Sequence, residues 1–370
     1  DKLTVTAQYV WDCYTVTFLL DDGTVFEKID FYMGEGIRRP KNDPVKEGYY
    51  FLGWYSDPVE GDFEFPFVPA LNADTTLYAR FSEKLPISTA AQLRSISTNQ
   101  RYYLTCDIDL EGESWSPIWY FEGELGGQGH KISNFTMSNG SHFSGFFASI
   151  NHGGVVKNVT FADFSMTVNT EEAFSAGVIA GTNSGTIENC IVEDAVISYS
   201  YSKKYNASTT STISLGGCVG QNTGFISDCV ANINIICLIK IANTAGGYSP
   251  SQFTNWNNIG GIAGTNNGSL VKNHSANIIS VSGTVDGAQA QNFYYCASVS
   301  RIGGAVGHNF GSVSECTGKD MISYSFNQYS KVKIIDIHAG GLVGVNEGNI
   351  ENCVALGQIS DSTSNTVSKI

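Results

Sequence analysis

The side chains best suited to chemistry stand together in one short acidic stretch. Four carboxylates alternate with other residues there: Asp107, Asp109, Glu111 and Glu113. Clustered carboxylates bind hard cations such as calcium, and a pair of them can serve as acid and base in glycoside hydrolysis. Ile108 and Leu110 occupy alternate positions, which is typical of a strand with its apolar residues inward and its carboxylates in solvent. We therefore favour a structural strand over a calcium or catalytic site.

The histidines and cysteines do not form a catalytic or metal-binding pattern. None of the six histidines lies in a His-Glu-x-x-His stretch, and no Ser, His and Asp set or Cys-His dyad surrounds them. His130 follows Gly129 in a turn, where a hydrogen-bonded structural role is expected. The nine cysteines include no Cys-x-x-Cys pair, so we predict neither a metal site nor a cofactor.

The elements that must position these residues are repeats. The segment from Gly340 to Cys353 recurs four times upstream, and the turn glycines of the five copies are 37 to 44 residues apart. These glycines are Gly181, Gly220, Gly264, Gly307 and Gly344. Repeats of this length, without helix signals, cannot bury a core singly, so we expect them to stack.

Each copy reads as a strand, a Gly-x-Asn-x-Gly turn and a second strand. Glycine and asparagine accept positive φ, which we expect at this sharp turn. The turn asparagines are Asn183, Asn222, Asn266, Asn309 and Asn346. An aliphatic residue follows each turn and is expected to point inward: Ile187, Ile226, Leu270, Val313 and Ile350.

Four copies place a cysteine three residues after that aliphatic residue. These cysteines are Cys190, Cys229, Cys316 and Cys353. A two-residue corner between the two positions would bring both side chains inside. The third copy departs from the pattern, because Val271 to His274 reads as one residue longer. We predict a column of reduced thiols that act as small apolar residues, rather than disulfides.

The simplest stack of such repeats is a right-handed parallel β-helix, with coils about 4.8 Å apart and equivalent residues in ladders. The repeated block resembles the GLUG motif, and the resemblance covers about residues 120 to 360. That family occurs in bacterial surface proteins and in IgA-specific metallopeptidases, where it lies outside the protease domain. The resemblance therefore implies no protease activity for this segment.

A block of short strands precedes the repeats, at residues 11–82. It includes the run from Gly48 to Tyr55 and an ending at Thr75 to Phe81. This block resembles the Listeria-Bacteroides repeat of internalin B type, which implies a small β-grasp module used as a stalk in surface proteins. In so small a module, we expect Trp54 and Tyr55 to fill the core rather than to bind a ligand.

The remaining segments complete an all-β chain. Residues 1–10 look like the tail of a preceding module of the same style. Residues 83–98 are predicted to be a linker in which Pro86 ends a strand and Ser88 caps a short helix. An open β-helix end exposes unpaired strand edges, so we expect this helix to cap the β-helix of residues 99–370.

The charge excludes some partners. The chain has 21 Lys plus Arg against 35 Asp plus Glu, a net charge of −14, and no basic cluster. Nucleic acid and anionic membrane surfaces are therefore not expected as partners. Insertion into a membrane is not expected either, because no apolar stretch approaches the length of a membrane span. Both family resemblances imply an extracellular or cell-wall-attached protein.

The repeats are about twice as long as a minimal coil, which leaves about 15 to 20 surplus residues before each Gly-Gly pair. These segments are rich in Tyr, Ser and Asn, a composition that suits adaptable binding surfaces, so we expect them to bind a glycan or a host or other extracellular protein. The candidate ligand-binding residues are Tyr201, Tyr205, Tyr248, Trp256, Tyr294, Tyr295, Tyr324 and Tyr329. The alternative is that the aromatic residues pack back onto the coils.

Three classes of function compete. The leading one is a non-catalytic segment of a secreted or cell-surface protein, with a stalk and a β-helix used for adhesion or display. The second is a polysaccharide-active β-helix enzyme, which would need carboxylates or basic residues converging in a groove. The third is an accessory region of a large secreted peptidase.

Overall fold

The chain is mainly β-structure in two compact units, Asp1–Leu85 and Pro86–Ile370. The computed structural model describes residues 12–32, 38–59, 73–138, 142–170, 172–205, 210–243, 253–286, 296–329, 334–362 and 367–369. In this part of the chain, no helix has the length and apolar character that a membrane span requires.

The first unit contains a four-stranded sheet. Its strands are β1 (Cys13–Leu19), β2 (Val25–Tyr32), β3 (Tyr49–Tyr55) and β4 (Thr75–Glu83), in the order β2-β1-β4-β3. Strands β1 and β4 are parallel, and the two outer pairs are antiparallel. Trp54 is 2% exposed and its ring lies 4.8 Å from that of Phe18, so it fills the core as predicted. Tyr55 is half-buried, with the Arg80 guanidinium carbon 4.2 Å from its ring centroid.

The second unit is a stack of coils. It begins within β5 (Leu85–Ile87) and continues with α1 (Ala90–Arg94), β6 (Arg101–Leu104), β7 (Ile108–Ser114), β8 (Glu124–Gly126) and β9 (Lys131–Ser138). The next two coils contain β10 (Phe143–Ser144), β11 (Phe147–Ile150), β12 (Val155–Lys157), β13 (Thr160–Thr170), β14 (Phe174–Ala176), β15 (Ala180–Asn183), β16 (Thr186–Glu188) and β17 (Ile191–Tyr205).

The later coils repeat this order of strands. Two of them contain β18 (Thr210–Gly216), β19 (Val219–Asn222), β20 (Phe225–Ser227), β21 (Val230–Asn243), β22 (Phe253–Gly260), β23 (Ala263–Asn266), β24 (Ser269–Val271), β25 (His274–Ser275) and β26 (Ile278–Asp286). The last strands are β27 (Cys296–Gly303), β28 (Val306–Asn309), β29 (Ser312–Ser314), β30 (Thr317–Gly318), β31 (Met321–Tyr329), β32 (Ile334–Gly340), β33 (Val343–Asn346), β34 (Asn349–Glu351), β35 (Val354–Ala355), β36 (Gln358–Asp361) and β37 (Val367–Lys369).

These strands form four parallel sheets that run along the stack, which is the architecture of a parallel β-helix. The seven-stranded sheet has the order β10-β14-β18-β22-β27-β32-β37, and the six-stranded sheet has the order β11-β15-β19-β23-β28-β33. The nine-stranded sheet runs from β34 to β5, and the eleven-stranded sheet includes β17, β21, β26 and β31. Each sheet takes its strands from successive coils, so equivalent residues of the repeats are neighbours.

The predicted aliphatic ladder is present in register. Ile187 pairs with Ile226, and the pairing continues through Leu270, Val313 and Ile350. The first four are at most 1% exposed. Ile350 is 40% exposed, because β34 is the edge strand of the nine-stranded sheet.

The segment before the coils differs from the predicted linker. Pro86 does not end a strand but lies within β5, an edge strand of the nine-stranded sheet, where the missing N–H of proline is tolerated. The residue that caps α1 is Thr89 rather than Ser88, because the Thr89 Oγ1 accepts a hydrogen bond from Gln92 N at 3.2 Å. The helix packs Leu93, which is fully buried, against the β-helix core.

The surplus residues of the repeats lengthen the strands. Strand β17 runs for 15 residues and β21 for 14, and the two are paired along their lengths. The described part of each insertion is therefore a continuation of the stacked sheets. The connecting residues 206–209, 244–252, 287–295 and 330–333 lie outside the described residues.

The motif asparagines form a buried ladder of hydrogen-bonded amides. They do not supply the positive φ that is expected of them at the turn. None of the five has positive φ; each instead ends a strand and points inward, although Asn346 at the end of the ladder is exposed. The Nδ2 of Asn222 donates to Asn266 Oδ1 at 2.8 Å, and the Nδ2 of Asn266 donates to Asn309 Oδ1 at 2.7 Å. Asn183 and Asn346 extend the same chain of amides at 2.9 and 2.7 Å.

The second glycine of the Gly-x-Asn-x-Gly motif, at Gly268 and Gly311 for example, allows close approach between coils rather than a positive φ. A Cβ at Gly268 would overlap the carbonyl oxygen of Gly224, and a Cβ at Gly311 would overlap that of Gly268. Positive φ occurs instead at the corner before the cysteine, for example at Asn189 (49°) and Asp228 (52°). The predicted corner between the aliphatic residue and the cysteine is thus a single left-handed residue.

The cysteines form the predicted column, with one substitution. Cys190, Cys229 and Cys316 are buried, and the eight cysteines whose side chains the structure describes are all free thiols. Burial raises the pKa of Cys316 to about 11, which keeps its thiol protonated. Contrary to the prediction, the third copy is not longer; it has Asn273 in the cysteine position, with Lys272 at the left-handed corner. The Asn273 Oδ1 accepts from Cys229 N at 2.9 Å, so the column stays continuous.

Candidate functional site

Two of the predicted ligand-binding tyrosines belong to the core. Tyr201 on β17 is fully buried and Tyr324 on β31 is 1% exposed. Strand alternation explains their direction, because Ser200 and Ser202 take the outward positions of β17. This burial corrects the prediction for both residues and removes them from any ligand-binding surface. For them, the alternative of packing on the coils is the right one.

Most of the other predicted aromatic residues cannot be placed. Tyr248, Tyr294 and Tyr295 lie outside the described residues. Tyr205 and Tyr329 end strands β17 and β31, and their side chains lie outside the description. These five stay predictions. Trp256 is the member of the set whose side chain is both described and partly exposed.

Trp256 lies on the outward face of the seven-stranded sheet, on β22. Its neighbours Asn255 and Asn257 are buried, so alternation turns Trp256 to the other face. The Arg301 guanidinium carbon, from the adjacent strand β27, lies 4.1 Å from the Trp256 ring centroid. This distance is that of a cation–π contact, which also covers part of the indole.

Arg301 reaches from the seven-stranded sheet to the six-stranded sheet. Its Nη1 donates to Asn258 Oδ1 at 3.3 Å and lies 2.9 Å from His308 Nδ1. Because a guanidinium can only donate, His308 Nδ1 must be the acceptor. The ring proton therefore resides on Nε2, which donates to Glu347 Oε1 at 2.9 Å.

Burial and charge keep His308 neutral. The residue is 4% exposed, and burial lowers the pKa of its imidazole below the usual 6.5. The positive charge of Arg301 lowers this pKa further, while the hydrogen bond to Glu347 opposes the shift. Burial likewise lowers the pKa of Arg301, although a guanidinium stays charged throughout the physiological range.

Phe310 and Glu347 provide the exposed part of the cluster. The Phe310 ring centroid is 3.9 Å from that of His308, and Phe310 is 45% exposed. The Glu347 side chain is 56% exposed. We name the set of Trp256, Arg301, His308, Phe310 and Glu347 the Trp256 face. Exposed aromatic carbon, a guanidinium and an oriented carboxylate offer stacking, donor and acceptor groups on one surface.

Sequence reasoning found only Trp256 of this set. His308 and Phe310 flank the ladder residue Asn309 within one motif copy, where the copy before it has Thr265 and Asn267. A comparison of the variable positions of the motif, copy by copy, would have singled out this pair. Arg301 lies in a strand interior and Glu347 in a turn, and neither carries a local signal.

Two carboxylates of the acidic stretch, Asp107 and Asp109, are hydrogen-bonded to neighbouring parts of the chain. Asp107 Oδ1 accepts from Lys131 N at 3.0 Å and contacts His130 Nδ1 at 3.1 Å, and these bonds lower the pKa of Asp107. Asp109 Oδ1 accepts from Glu111 N and from Asn134 Nδ2. In the residues that the structure describes, no three His, Cys, Asp or Glu side chains are grouped to hold a metal ion.

Comparison with known proteins identifies two repeat types in the chain. Residues 14–80 match the family model of the Listeria-Bacteroides repeat domain, and residues 336–360 match that of the GLUG motif. The second match contains the last of the five motif copies and includes Glu347.

Three relatives share parts of the chain. Halomucin from Haloquadratum walsbyi is 33% identical over 112 residues, which is 26% of this chain and 1% of the relative. A putative Gly-rich membrane protein from Evansella cellulosilytica is 31% identical over 122 residues, 29% of this chain and 14% of the relative. Internalin H from Listeria monocytogenes is 33% identical over 86 residues, 22% of this chain and 15% of the relative. The chain thus spans a small part of each relative, and the repeat types and relatives fit a surface protein.

Proposed function

We propose that this chain is a non-catalytic, ligand-binding segment of a secreted or cell-surface protein, and that the Trp256 face of its β-helix binds neutral glycans. The Listeria-Bacteroides module serves as a stalk, and the coils present the face for adhesion or display. The observation that carries the proposal is the series of contacts that joins Trp256 to Arg301, Arg301 to His308, and His308 to both Phe310 and the exposed Glu347 carboxylate.

The chemistry of the face favours sugar hydroxyls. Aromatic rings pack against the apolar faces of sugar rings, and fixed carboxylate and guanidinium groups accept and donate hydrogen bonds to hydroxyls. Such a surface needs little rearrangement, because Arg301 is already held by Asn258 and His308.

The charge of the face favours a neutral glycan over an acidic one. The single cation Arg301 is opposed by Glu347 and by Asp336, both of which act on its charge. The whole chain carries a net charge of −14. A sulfated or carboxylated glycan would meet this repulsion, whereas a neutral glycan would not.

Replacing Trp256 with alanine is expected to weaken glycan binding by about thirtyfold or more, because a central aromatic anchor often contributes about 2 kcal/mol or more to binding. The labelled full chain is first applied to an array of neutral and acidic glycans. Affinities for the neutral glycans it selects are then measured by calorimetry for the wild type, Trp256→Ala and Trp256→Phe, and Trp256→Phe is expected to retain part of the binding.

Phe225→Ala is the control, because Phe225 is an exposed aromatic residue, 40% accessible, on a different sheet, the nine-stranded one. Its affinity is expected to equal that of the wild type. Equal binding by Trp256→Ala and the wild type would contradict the proposal, and so would an array that selects only acidic glycans or none.

A further inference from the structure

His308 is the one side chain of the Trp256 face that touches both of its charged groups. Its Nδ1 accepts from Arg301 Nη1 at 2.9 Å and its Nε2 donates to Glu347 Oε1 at 2.9 Å. The imidazole itself is 4% exposed, so it offers a ligand almost no surface. Its contribution to any ligand must therefore pass through its two neighbours.

We infer that His308 is a positioning residue, whose neutral Nε2–H tautomer holds Arg301 against Trp256 and aims the Glu347 carboxylate, so that the face binds its neutral glycan only while His308 is unprotonated. Only the part of this role that concerns glycan binding rests on the proposed function. The part that concerns the arrangement of Arg301, Trp256 and Glu347 stands on the contacts themselves.

A protonated His308 cannot make the same two contacts. Both ring nitrogens then donate, and Nδ1–H would point at a guanidinium N–H 2.9 Å away. Two donors and two positive charges at this distance repel each other, and burial leaves little water to screen them. Arg301 must then leave Nδ1 and give up its place over the Trp256 ring.

The groups around His308 fix the direction of the pH effect. Arg301 on β27 faces Nδ1 and disfavours the charged form, while Glu347, which follows β33, faces Nε2 and favours it. His338 on β32 also disfavours the charged form, and its own Nε2 lies 3.1 Å from Asp336 Oδ2. Burial, the largest of these effects, lowers the pKa of His308 below 6.5. The face is thus intact at neutral pH and opens as the pH falls below 6.5.

Two readouts on the unliganded full chain test this inference. NMR follows the ring signals of His308, and the fluorescence difference between the wild type and Trp256→Phe isolates the Trp256 signal. Both are expected to change together in one transition below pH 6.5. A His308 that titrates at or above pH 6.5, or a Trp256 signal that does not follow it, would overturn the inference.

His308→Asn is the conservative variant, because the asparagine Oδ1 replaces Nδ1 as the acceptor for Arg301 and does not titrate. Its Trp256 signal is expected to stay in the neutral-pH form from pH 7.5 to pH 4.5. His308→Leu removes the acceptor and is expected to give the acid-pH signal throughout. His338→Asn changes the other histidine whose charge acts on His308, and this variant is expected to keep the transition. A transition that persists in His308→Asn, or that is lost in His338→Asn, would contradict the role of His308.

Glycan binding separates this inference from the proposed function. On the array, the wild type is expected to bind neutral glycans about tenfold more weakly at one pH unit below the midpoint of its His308 transition than at pH 7.5, while His308→Asn binds equally at both. Equal binding by the wild type at both pH values would overturn the positioning role. An array without neutral glycan ligands would overturn the proposed function, while the two unliganded readouts would still decide whether His308 holds Arg301.

Discussion

Replacing Asn266 with alanine is expected to lower the free energy of unfolding by about 3–5 kcal/mol, as measured by urea denaturation followed by circular dichroism. The Asn266 amide is fully buried and lies in the middle of the ladder. Its Oδ1 accepts from Asn222 Nδ2 at 2.8 Å and from Gly268 N at 3.2 Å, and its Nδ2 donates to Asn309 Oδ1 at 2.7 Å. Alanine would remove the partner of Asn309 Oδ1, of one of the two N–H groups of Asn222 Nδ2 and of the part-buried Gly268 N, and each such loss costs about 1–3 kcal/mol.

Asn346→Ala is the matched control for this prediction. Asn346 has the same role at the end of the ladder, but its side chain is exposed and it has a ladder neighbour, Asn309, on one side. Water can replace the lost bonds there, so we expect a decrease of about 1 kcal/mol or less. Equal losses in the two variants would contradict the claim that the amides stabilise the stack through buried bonds.

Replacing Asp320 with asparagine is expected to stabilise the protein at neutral and alkaline pH. Asp320 is 1% exposed and lies between β30 and β31. Its Oδ2 accepts from Ser275 Oγ at 2.7 Å, and its Oδ1 accepts from Asn277 N and Nδ2, both at 2.8 Å. Burial of the charge outweighs these bonds and raises the pKa of Asp320 to about 6.

The sign of the pH dependence follows from this raised pKa. Between about pH 4 and pH 6 the folded state holds a proton that the unfolded state has lost, so the free energy of unfolding decreases as the pH rises through this window. The shift of about 2 pH units corresponds to about 3 kcal/mol. The introduced asparagine would stay neutral at every pH, so Asp320→Asn should equal the wild type near pH 4 and exceed it by about 2–3 kcal/mol at pH 8.

Urea denaturation at intervals from pH 4 to pH 8 tests the prediction. Asp228→Asn is the control, because it makes the same chemical change at an exposed corner of the coil. We expect no comparable gain with pH in that variant. A difference between Asp320→Asn and the wild type that does not vary with pH, or a less stable variant at pH 8, would contradict the account.

The stacked coils could be predicted from the sequence because the motif is written five times in the same order. Register follows from repetition: once Ile226 is assigned to the interior, Ile187 and Leu270 must lie above and below it. The column of thiols follows from the same logic. The sequence of the third copy suggests an extra residue, because a polar Asn273 is not expected in a column of cysteines. Its place in the column becomes clear only from its contact with Cys229.

Other features depend on contacts that no single strand encodes. Asn and Gly residues are suited both to a turn with positive φ and to close contact between coils. Gly268 serves the close contact. The direction of Tyr201 and Tyr324 depended on whether the surplus residues form separate hairpins or prolong the strands. Arg301 lies on β27, His308 on β28 and Glu347 after β33 of the next coil, so the three meet only when neighbouring sheets and coils are assembled.

The exchange rates of the side-chain amide protons test the account most directly. Hydrogen–deuterium exchange by NMR on the full chain compares Asn222, Asn266 and Asn309 with Asn267, which is adjacent to Asn266 but exposed. We predict that the three ladder amides exchange at least about a hundredfold more slowly than Asn267, about 3 kcal/mol of protection, because they open only when the coils separate. Exchange of Asn266 at the rate of Asn267 would contradict a stack of coils joined by buried asparagines.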